Sequence, residues 1–302
     1  MKKDVQQLPS QATPLPYSVT SLADLPGSLR QSAMQSVGST DDLISICVFP
    51  GRTYLKNWFS WENVPEQTLL FTCKGIHHIQ APTFSHHDAR IVSIRAADLL
   101  YARLSLILMY GGLELVDENL SRVIVEFNAA GFEIIQSGLQ DFLRIISDKN
   151  AMPTPEAPPT KMLLSELGGL SFKFKNGLYL YGLLPEEQLI GFVFQPGIWG
   201  QRWHHFPLKL SETTLLALTD KRLIVIEEQS RSRFPAYGWI FTFYPRRVIQ
   251  QIGVTSSRQW QELSVKIRSK TGLINRRILL EQVNGLAWQE LWLRFGTLPT
   301  VL

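Results

Sequence analysis

The feature that most limits the possible folds of this chain is an internal repeat, whose two copies lie on either side of a proline-rich segment near the midpoint. Residues 147–162 hold four prolines within seven positions, and such a composition favours extended polyproline II geometry over helix or sheet. On either side of it, residues 42–51 resemble residues 188–197, and from the glycine that ends each run the halves stay in step for twenty positions. The sequence therefore predicts a duplicated domain with a linker between the copies. The alternative is chance similarity between two antiparallel β domains of similar length.

Each half shows the pattern of an antiparallel β domain that ends in a helix. Residues 69–79 and 215–226 each contain two apolar runs around a polar turn, which predicts a β-hairpin. Residues 263–268 alternate apolar and polar side chains, the period of a half-buried strand. We expect each half to fold around an interior of its own, with no sheet shared between them.

A helix is predicted at the end of each half, because apolar residues recur there at helical spacing. These residues are Ile135, Leu139, Phe142 and Ile146, and Trp288, Leu291, Trp292 and Phe295. Asn128 and Asn284 are the predicted N-caps. The repeat also predicts a short helix over 172–175, where alternation alone suggests a strand, because the equivalent residues 29–37 have a helical pattern.

Composition indicates a folded protein of a reducing compartment. The 302 residues are 45% hydrophobic and 19% charged, which is enough apolar material for about two domains of ~150 residues. Cys47 and Cys73 cannot form a disulfide framework. No apolar stretch follows the N-terminal charges as in a secretory signal, and no run reaches the ~18 apolar residues of a membrane span. We expect a cytoplasmic protein, either free or peripheral to a membrane.

Two segments of the second half resemble a known superfamily. Residues 219–226, Thr-Asp-Lys-Arg-Leu-Ile-Val-Ile, are similar to the T-D-x-R-L strand turn of the GRAM branch and of bacterial pleckstrin-homology-like (PH-like) domains. Residues 244–252 resemble the P-x-x-x-I-x-x-I strand that follows in those families. In the first half Cys73 and Gly75 replace Asp220 and Arg222, so the resemblance there rests on the internal repeat.

The resemblance implies a mainly β fold of two tandem PH-like split β-barrels, each of about seven antiparallel strands capped by a C-terminal helix. The implied organisation is a disordered tail over 1–20, a first domain over 21–146, the linker over 147–162 and a second domain over 163–297. Such proteins are scaffolds that bind lipids, peptides or other domains, and the fold does not choose among these ligands. Residues 191–199 include no basic side chain, so an inositol-phosphate site is not expected.

The two halves differ in net charge. Residues 1–150 carry 12 Lys and Arg against 15 Asp and Glu, a net charge of −3, whereas residues 151–302 carry 18 against 11, a net charge of +7. A candidate surface for anionic membranes consists of Lys266, Arg268, Lys270, Arg276, Arg246 and Arg247. The alternatives are a solvated strand face and docking between oppositely charged halves or partners. Nucleic acid is not an expected partner, because aromatic residues do not interleave with these basic ones.

Tryptophans follow the shared glycine in both halves. They are Trp58 and Trp61 in the first half and Trp199 and Trp203 in the second. Large aromatic side chains dominate binding hot spots, so these four are candidates for contact with a protein or peptide. Packing in the core or between the copies is the alternative.

A histidine cluster is the one enzyme-like feature of the sequence. It comprises His77, His78, His86, His87 and Asp88, and imidazole is a common ligand of transition metals. Adjacent strand residues point to opposite faces, so at most one of the first two can serve a single site. Ordinary loop histidines explain the same pattern.

The sequence therefore predicts a non-enzymatic adaptor without a cofactor, which recognises a protein, a peptide or an anionic membrane surface. The alternative hypothesis is a metal-dependent hydrolase that uses His77, His86, His87 and Asp88 as ligands.

Overall fold

The computed structural model describes residues 15–37, 42–57, 60–83, 88–107, 109–148, 165, 167–202, 206–228, 238–256 and 260–295. Within these residues the chain is mainly β, as predicted. The described helices include none that is both long and apolar enough to cross a membrane.

The first half is an antiparallel β structure with one helix near its start and one at its end. Its elements are β1 (Tyr17–Val19), α1 (Gly27–Ser36), β2 (Leu43–Phe49), β3 (Arg52–Asn57), β4 (Ser60–Val64), β5 (Gln67–Thr72), β6 (Gly75–Gln80), β7 (Arg90–Arg95), β8 (Leu99–Ile107), β9 (Tyr110–Asp117), β10 (Arg122–Asn128) and α2 (Phe132–Asp148).

The second half repeats this order from its first helix onward. Its elements are α3 (Phe172–Asn176), which continues into a π-helical segment (Gly177–Gly182), β11 (Leu189–Gln195), β12 (Ile198–Arg202), β13 (Phe206–Ser211), β14 (Thr214–Thr219), β15 (Arg222–Glu228), β16 (Gly238–Pro245), β17 (Ile249–Ser256), β18 (Gln261–Ser269), β19 (Gly272–Leu280) and α4 (Gln282–Phe295).

The halves also share their irregularities. The register of β2 against β5 shifts between Leu43 and Ser45, and that of β11 against β14 shifts between Leu189 and Gly191. β8 and β17 shift in the same way near their first residues, against β9 and β18. Short 3-10 turns, Ala96–Asp98 and Arg246–Val248, precede these two strands. Bulges bend a strand at a defined position, so matching bulges indicate that the two halves share one architecture.

Helices cover both faces of the main sheet in each half. In the first half α1 lies against β5 and β6, and α2 lies against β2 and β5. In the second half the π-helical segment lies against β15, and α4 lies against β11. The strands β5 and β14 are consequently buried along their whole length. This explains why they are continuous apolar runs rather than alternating ones.

One sheet joins the two halves. β16 pairs antiparallel with β8, with Phe241 opposite Leu104, so that the strand order of a seven-stranded sheet is β10-β9-β8-β16-β15-β14-β11. The expectation that no sheet is shared is therefore wrong. The described strands form no closed barrel.

The interiors of the halves are not separate either. α2 closes one core and Trp288 of α4 closes the other, but the first core continues across the joint to Phe241 and Phe243. Tyr181 of the π-helical segment bridges the halves, because its ring packs edge-on against Phe132 of α2, with centroids 5.3 Å apart, and against Phe241 at 6.1 Å. The prediction of an independent interior for each half is corrected by these contacts.

Several local predictions can be compared with the structure. Tyr17–Val19, within the predicted tail, pair with β2 as strand β1. The carboxamide of Asn128 accepts a hydrogen bond from the N–H of Ala130 at 3.0 Å, as the cap of the 3-10 turn Ala129–Gly131 that precedes α2. Asn284, by contrast, lies inside α4 and is not its cap. The short helix over 172–175 is confirmed. α2 continues through Asp148, and the remainder of the predicted linker, 149–162, lies outside the described residues.

A buried ion pair gives the Thr-Asp-Lys-Arg turn its physical role. Nε and Nη2 of Arg222 donate to the carboxylate of Glu187 at 2.7 and 2.6 Å, and neither side chain is more than 2% exposed. The hydroxyl of Thr219 donates to the same carboxylate at 2.6 Å, and the carboxylate of Asp220 accepts from the N–H of Gln188 at 2.9 Å. The turn therefore fastens the hairpin β14–β15 to the segment that leads into β11.

The first half cannot hold the same ion pair. Gly75 occupies the position of Arg222, and a Cβ there would lie 2.3 Å from the carbonyl oxygen of Ile94. The close approach of β7 thus requires glycine. The equivalent threonine is retained, because Thr72 still bonds across its turn to Gly75 at 2.8 Å.

Removal of one partner of this pair leaves a buried charge without compensation. We expect Arg222→Met to lower the free energy of unfolding by about 3–5 kcal/mol, and the double variant Glu187→Leu/Arg222→Met to recover most of that loss. The matched control is Arg144→Ala, which breaks an exposed pair with Asp141 (3.2 Å) and is expected to cost less than about 1 kcal/mol. Urea denaturation of the three variants measures these differences. Equal costs for Arg222→Met and Arg144→Ala would contradict the assignment.

Candidate functional site

The basic residues predicted to form one surface are divided between the two faces of their sheet. Arg276 is opposite Val265 of the core, and its guanidinium holds the carboxylate of Glu227 through two hydrogen bonds of 2.5 and 2.6 Å. Lys266 and Arg268 lie on the other face, because successive strand residues alternate. Arg276 therefore does not share the face of Lys266 and Arg268.

Arg247 and Lys270 lie at the joint between the halves. Nη2 of Arg247 donates to the carbonyl oxygens of Ala96, Ala97 and Leu99 at 3.0, 2.8 and 3.2 Å. Burial lowers the pKa of this guanidinium, while Glu118 and Asp98 oppose that effect. The ammonium of Lys270 lies 3.4 Å from a carboxylate oxygen of each of these two acidic residues. Both basic side chains therefore bind the first half.

Arg246 is also part of the folded interior. It is 6% exposed, and burial is the main cause that lowers the pKa of its guanidinium, with Asp220 acting in the opposite direction. A side chain in this position is not available to a membrane surface.

The basic residues that remain at the surface lie on the outer face of β18 and β19. Nζ of Lys266 donates to the carboxamide oxygen of Gln251 at 3.0 Å, and Arg268 is exposed. Sequence reasoning missed Arg277, which shares this face because it is opposite Ser264, and whose Nε lies 3.5 Å from Glu262. The strand register is the information that identifies it.

Trp199 lies on the hairpin β12–β13, which we call the recognition hairpin. Its side chain is 58% exposed, whereas its neighbour Ile198 is buried. Lys209 is directly opposite Trp199 on β13. Its ammonium lies 5.7 Å from the centroid of the indole ring and 2.5 Å from the carboxylate of Glu212. The cation–π contact, worth about 0.5–1 kcal/mol at an exposed site, orients an indole that is open to solvent.

The side chains of the other three predicted tryptophans are not among the described residues. Trp61 lies on β4, but its side chain is outside the described residues, as are Trp58 and Trp203 altogether. β13 lies against β19, so the recognition hairpin is adjacent to the sheet that carries Arg277.

The two described histidines of the candidate metal cluster have protein partners. Nε2 of His78 is 2.8 Å from the carboxamide oxygen of Gln67, and Nδ1 of His77 is 2.8 Å from the hydroxyl of Ser93. Burial lowers the pKa of His77, and burial followed by Arg90 lowers the pKa of His78 to about 4.

No metal site is formed by the described residues. Asp88 is exposed, and His86 and His87 lie outside the described ranges. A group of three or more potential ligands from His, Cys, Asp and Glu is not found within the described part. The metal hypothesis therefore stays a prediction that gains no support from this geometry.

The cysteines do not offer an activated nucleophile in the interior. Burial raises the pKa of Cys47 to about 11, so this thiol stays protonated. The Sγ of Cys73 donates to the carboxylate of Asp42 at 3.1 Å, within the turn that corresponds to Thr219–Arg222.

Comparison with models of known protein families and with curated proteins finds no match to this chain.

The buried His78 makes stability depend on pH. Its pKa of about 4 in the folded chain lies below the ordinary value of 6.5, so the unfolded chain binds the proton first. The neutral imidazole therefore makes its full contribution to the free energy of unfolding above pH 6.5, and this contribution is lost as the pH falls toward 4. We expect a loss of about 2 kcal/mol between pH 7.5 and pH 5 from this group.

Urea denaturation at these two pH values, with and without His78→Gln, isolates this contribution. In His78→Gln the free energy of unfolding should depend less on pH by this amount. The control His77→Gln changes the half-buried neighbour and should keep most of the pH dependence of the parent chain. An unchanged dependence in His78→Gln would show that this imidazole titrates normally.

Proposed function

We propose that the chain is a non-enzymatic binding protein of two PH-like modules, and that the recognition hairpin of the second module binds a protein or peptide partner. The PH-like assignment is supported by the order of elements that both halves repeat. Each half has a main sheet, a 3-10 turn, three further strands and a terminal helix. In this proposal the modules share an edge through β8 and β16 instead of standing apart.

The exposed indole of Trp199 is the observation that carries the proposal. Tryptophan is among the residues most enriched at binding hot spots, and loss of such a residue typically costs 2 kcal/mol or more of binding energy, as an order of magnitude. The ring is oriented by Lys209 before any partner arrives, so little side-chain entropy is lost on binding. Its strand is fixed from below by the buried Ile198.

The membrane variant has less support. Arg247, Lys270 and Arg276 are held by carbonyl or carboxylate oxygens of this chain. Lys266 and Arg268 remain, and each contributes on the order of 1 kcal/mol near an anionic surface before screening. That is too little for stable attachment, since even a single acyl chain binds membranes only marginally.

Benzoylphenylalanine, a photo-crosslinking amino acid that keeps an aromatic side chain at position 199, tests the proposal in cells that express the full chain. We expect a discrete covalent adduct with one protein from position 199, and none when the same amino acid replaces Ile124, an exposed residue of β10. The purified partner should then bind Trp199→Ala roughly 30-fold more weakly than the parent chain, the equivalent of about 2 kcal/mol.

Vesicle co-sedimentation separates the membrane variant. We expect no difference between anionic and neutral phosphatidylcholine-based vesicles at physiological salt. Binding to anionic vesicles that is lost in Lys266→Gln/Arg268→Gln, together with no adduct at position 199, would overturn the protein-binding proposal in favour of a lipid surface.

A further inference from the structure

β7 and β17 are edge strands that correspond to the two strands of the joint. β7 holds the same place in the first half as β16 does in the second, and β17 holds the place of β8. Among the described strands β7 pairs with β6 alone and β17 with β18 alone. The pairing between β8 and β16 therefore uses one of two equivalent pairs of edges and leaves the other open.

The repeat fixes how the open edges would pair. The 3-10 turns Ala96–Asp98 and Arg246–Val248 are equivalent, so Ile91 corresponds to Phe241 and Val254 corresponds to Leu104. At the joint Phe241 is opposite Leu104. The same register places Ile91 opposite Val254, which are apolar as well.

β17 lacks the usual protection against strand pairing, and β7 carries charge only at its two ends, Arg90 and Arg95. Natural edge strands carry lysine, proline or inward charges that prevent association. β17 contains no charged residue and no proline over its eight residues, and Ile91 in β7 is 42% exposed. β17 is thus suited to accept a further strand.

The terminal helix of the second half lacks a cover that its counterpart has. α2 is covered by the π-helical segment of the second half, where Nε2 of Gln136 donates to the carbonyl oxygen of Leu180 at 3.1 Å. α4 instead exposes three apolar side chains, Val283, Leu286 and Leu293. The element equivalent to the π-helical segment and its preceding helix is α1, which exposes Met34. Among the described elements α1 packs on β5 and β6 and makes no extensive contact with α4 of the same chain, so the α1 that would cover α4 is that of another copy.

Charge favours the same arrangement. The second half has a net charge of +7 and the first half a net charge of −3. Contact between the second half of one copy and the first half of the next brings opposite charges together, whereas contact between like halves does not.

We propose that copies of this chain associate head to tail, with β17 of one copy paired antiparallel with β7 of the next and with α1 of that copy against α4. The interface repeats the joint that already exists inside each chain. Because it uses two different surfaces, each paired copy keeps one unpaired edge, so that the association continues from copy to copy and produces open chains or rings. The inference does not depend on the proposed function.

Sedimentation velocity of the full chain over a range of concentrations tests the association. We expect an average mass that rises with concentration beyond that of a dimer and falls when salt is added. Ile91→Lys and Val254→Lys should each weaken association roughly tenfold or more, because each buries a lysine in the interface. The matched control Ile124→Lys, on the edge strand β10, should associate as the parent chain does.

Mixing the two variants distinguishes a head-to-tail interface from any other. Ile91→Lys keeps an intact β17 and Val254→Lys keeps an intact β7, so an equimolar mixture should form dimers and nothing larger. Circular dichroism confirms that each variant is folded.

The inference would be overturned if the parent chain stays monomeric at all concentrations. It would also be overturned if the parent chain associates but the equimolar mixture of the two variants forms no dimer. Trp199→Ala should leave association between copies unchanged. A failure of the association proposal is thus distinguishable from a failure of partner binding by the recognition hairpin.

Discussion

The pairing of β8 with β16 is the interaction on which the arrangement of this molecule depends. Two edge strands, distant in sequence, satisfy each other's backbone groups and turn two half-structures into one sheet. The side chains near the joint follow from this pairing. Arg247 reaches carbonyl groups of the first half because the 3-10 turns at the ends of β8 and β16 are brought side by side. Lys270 reaches Asp98 for the same reason.

The two halves differ at equivalent positions of the repeated structure. Arg222 is retained where Glu187 can meet it in the interior, and Gly75 stands where the backbone of β7 leaves no room. Each copy has the threonine of the turn, because its hydroxyl accepts a hydrogen bond from the backbone N–H across the turn in both environments. Side chains that serve local geometry are thus preserved, and those that depend on the neighbouring segment are not.

The sequence was sufficient for the features that depend on local pattern. Alternation and apolar spacing predict the hairpins and the stripe of Ile135, Leu139 and Phe142, all of which are buried in α2. The repeat decides the helix over 172–175 correctly, where alternation alone favours a strand. These signals come from residues close together in the chain, where the spacing itself fixes the face.

The features that sequence reasoning missed depend on register and distant pairing. The turn at Lys270 and Thr271 places Arg277, not Arg276, opposite Ser264, and a shift of one residue reverses the face of every side chain. The partner of β8 could not be predicted, because each half carries a complete set of strands and periodicity does not show which edges meet. The partnership of Arg222 with Glu187 has no local signal, since the two residues are far apart in sequence.

Net charge and exposed charge therefore carry different information in this protein. The second half has an excess of basic residues, yet Arg247 and Lys270 bind the first half, and Arg276 binds Glu227 within its own half. The part of this excess that is held by internal contacts stabilises the fold and is not available to a ligand. The recognition hairpin is different, because the indole of Trp199 is held by Lys209, is exposed and is not part of the described cores. An oriented aromatic side chain without a role in the core is available for binding. Trp199 is therefore a better indicator of a binding surface than the number of positive charges.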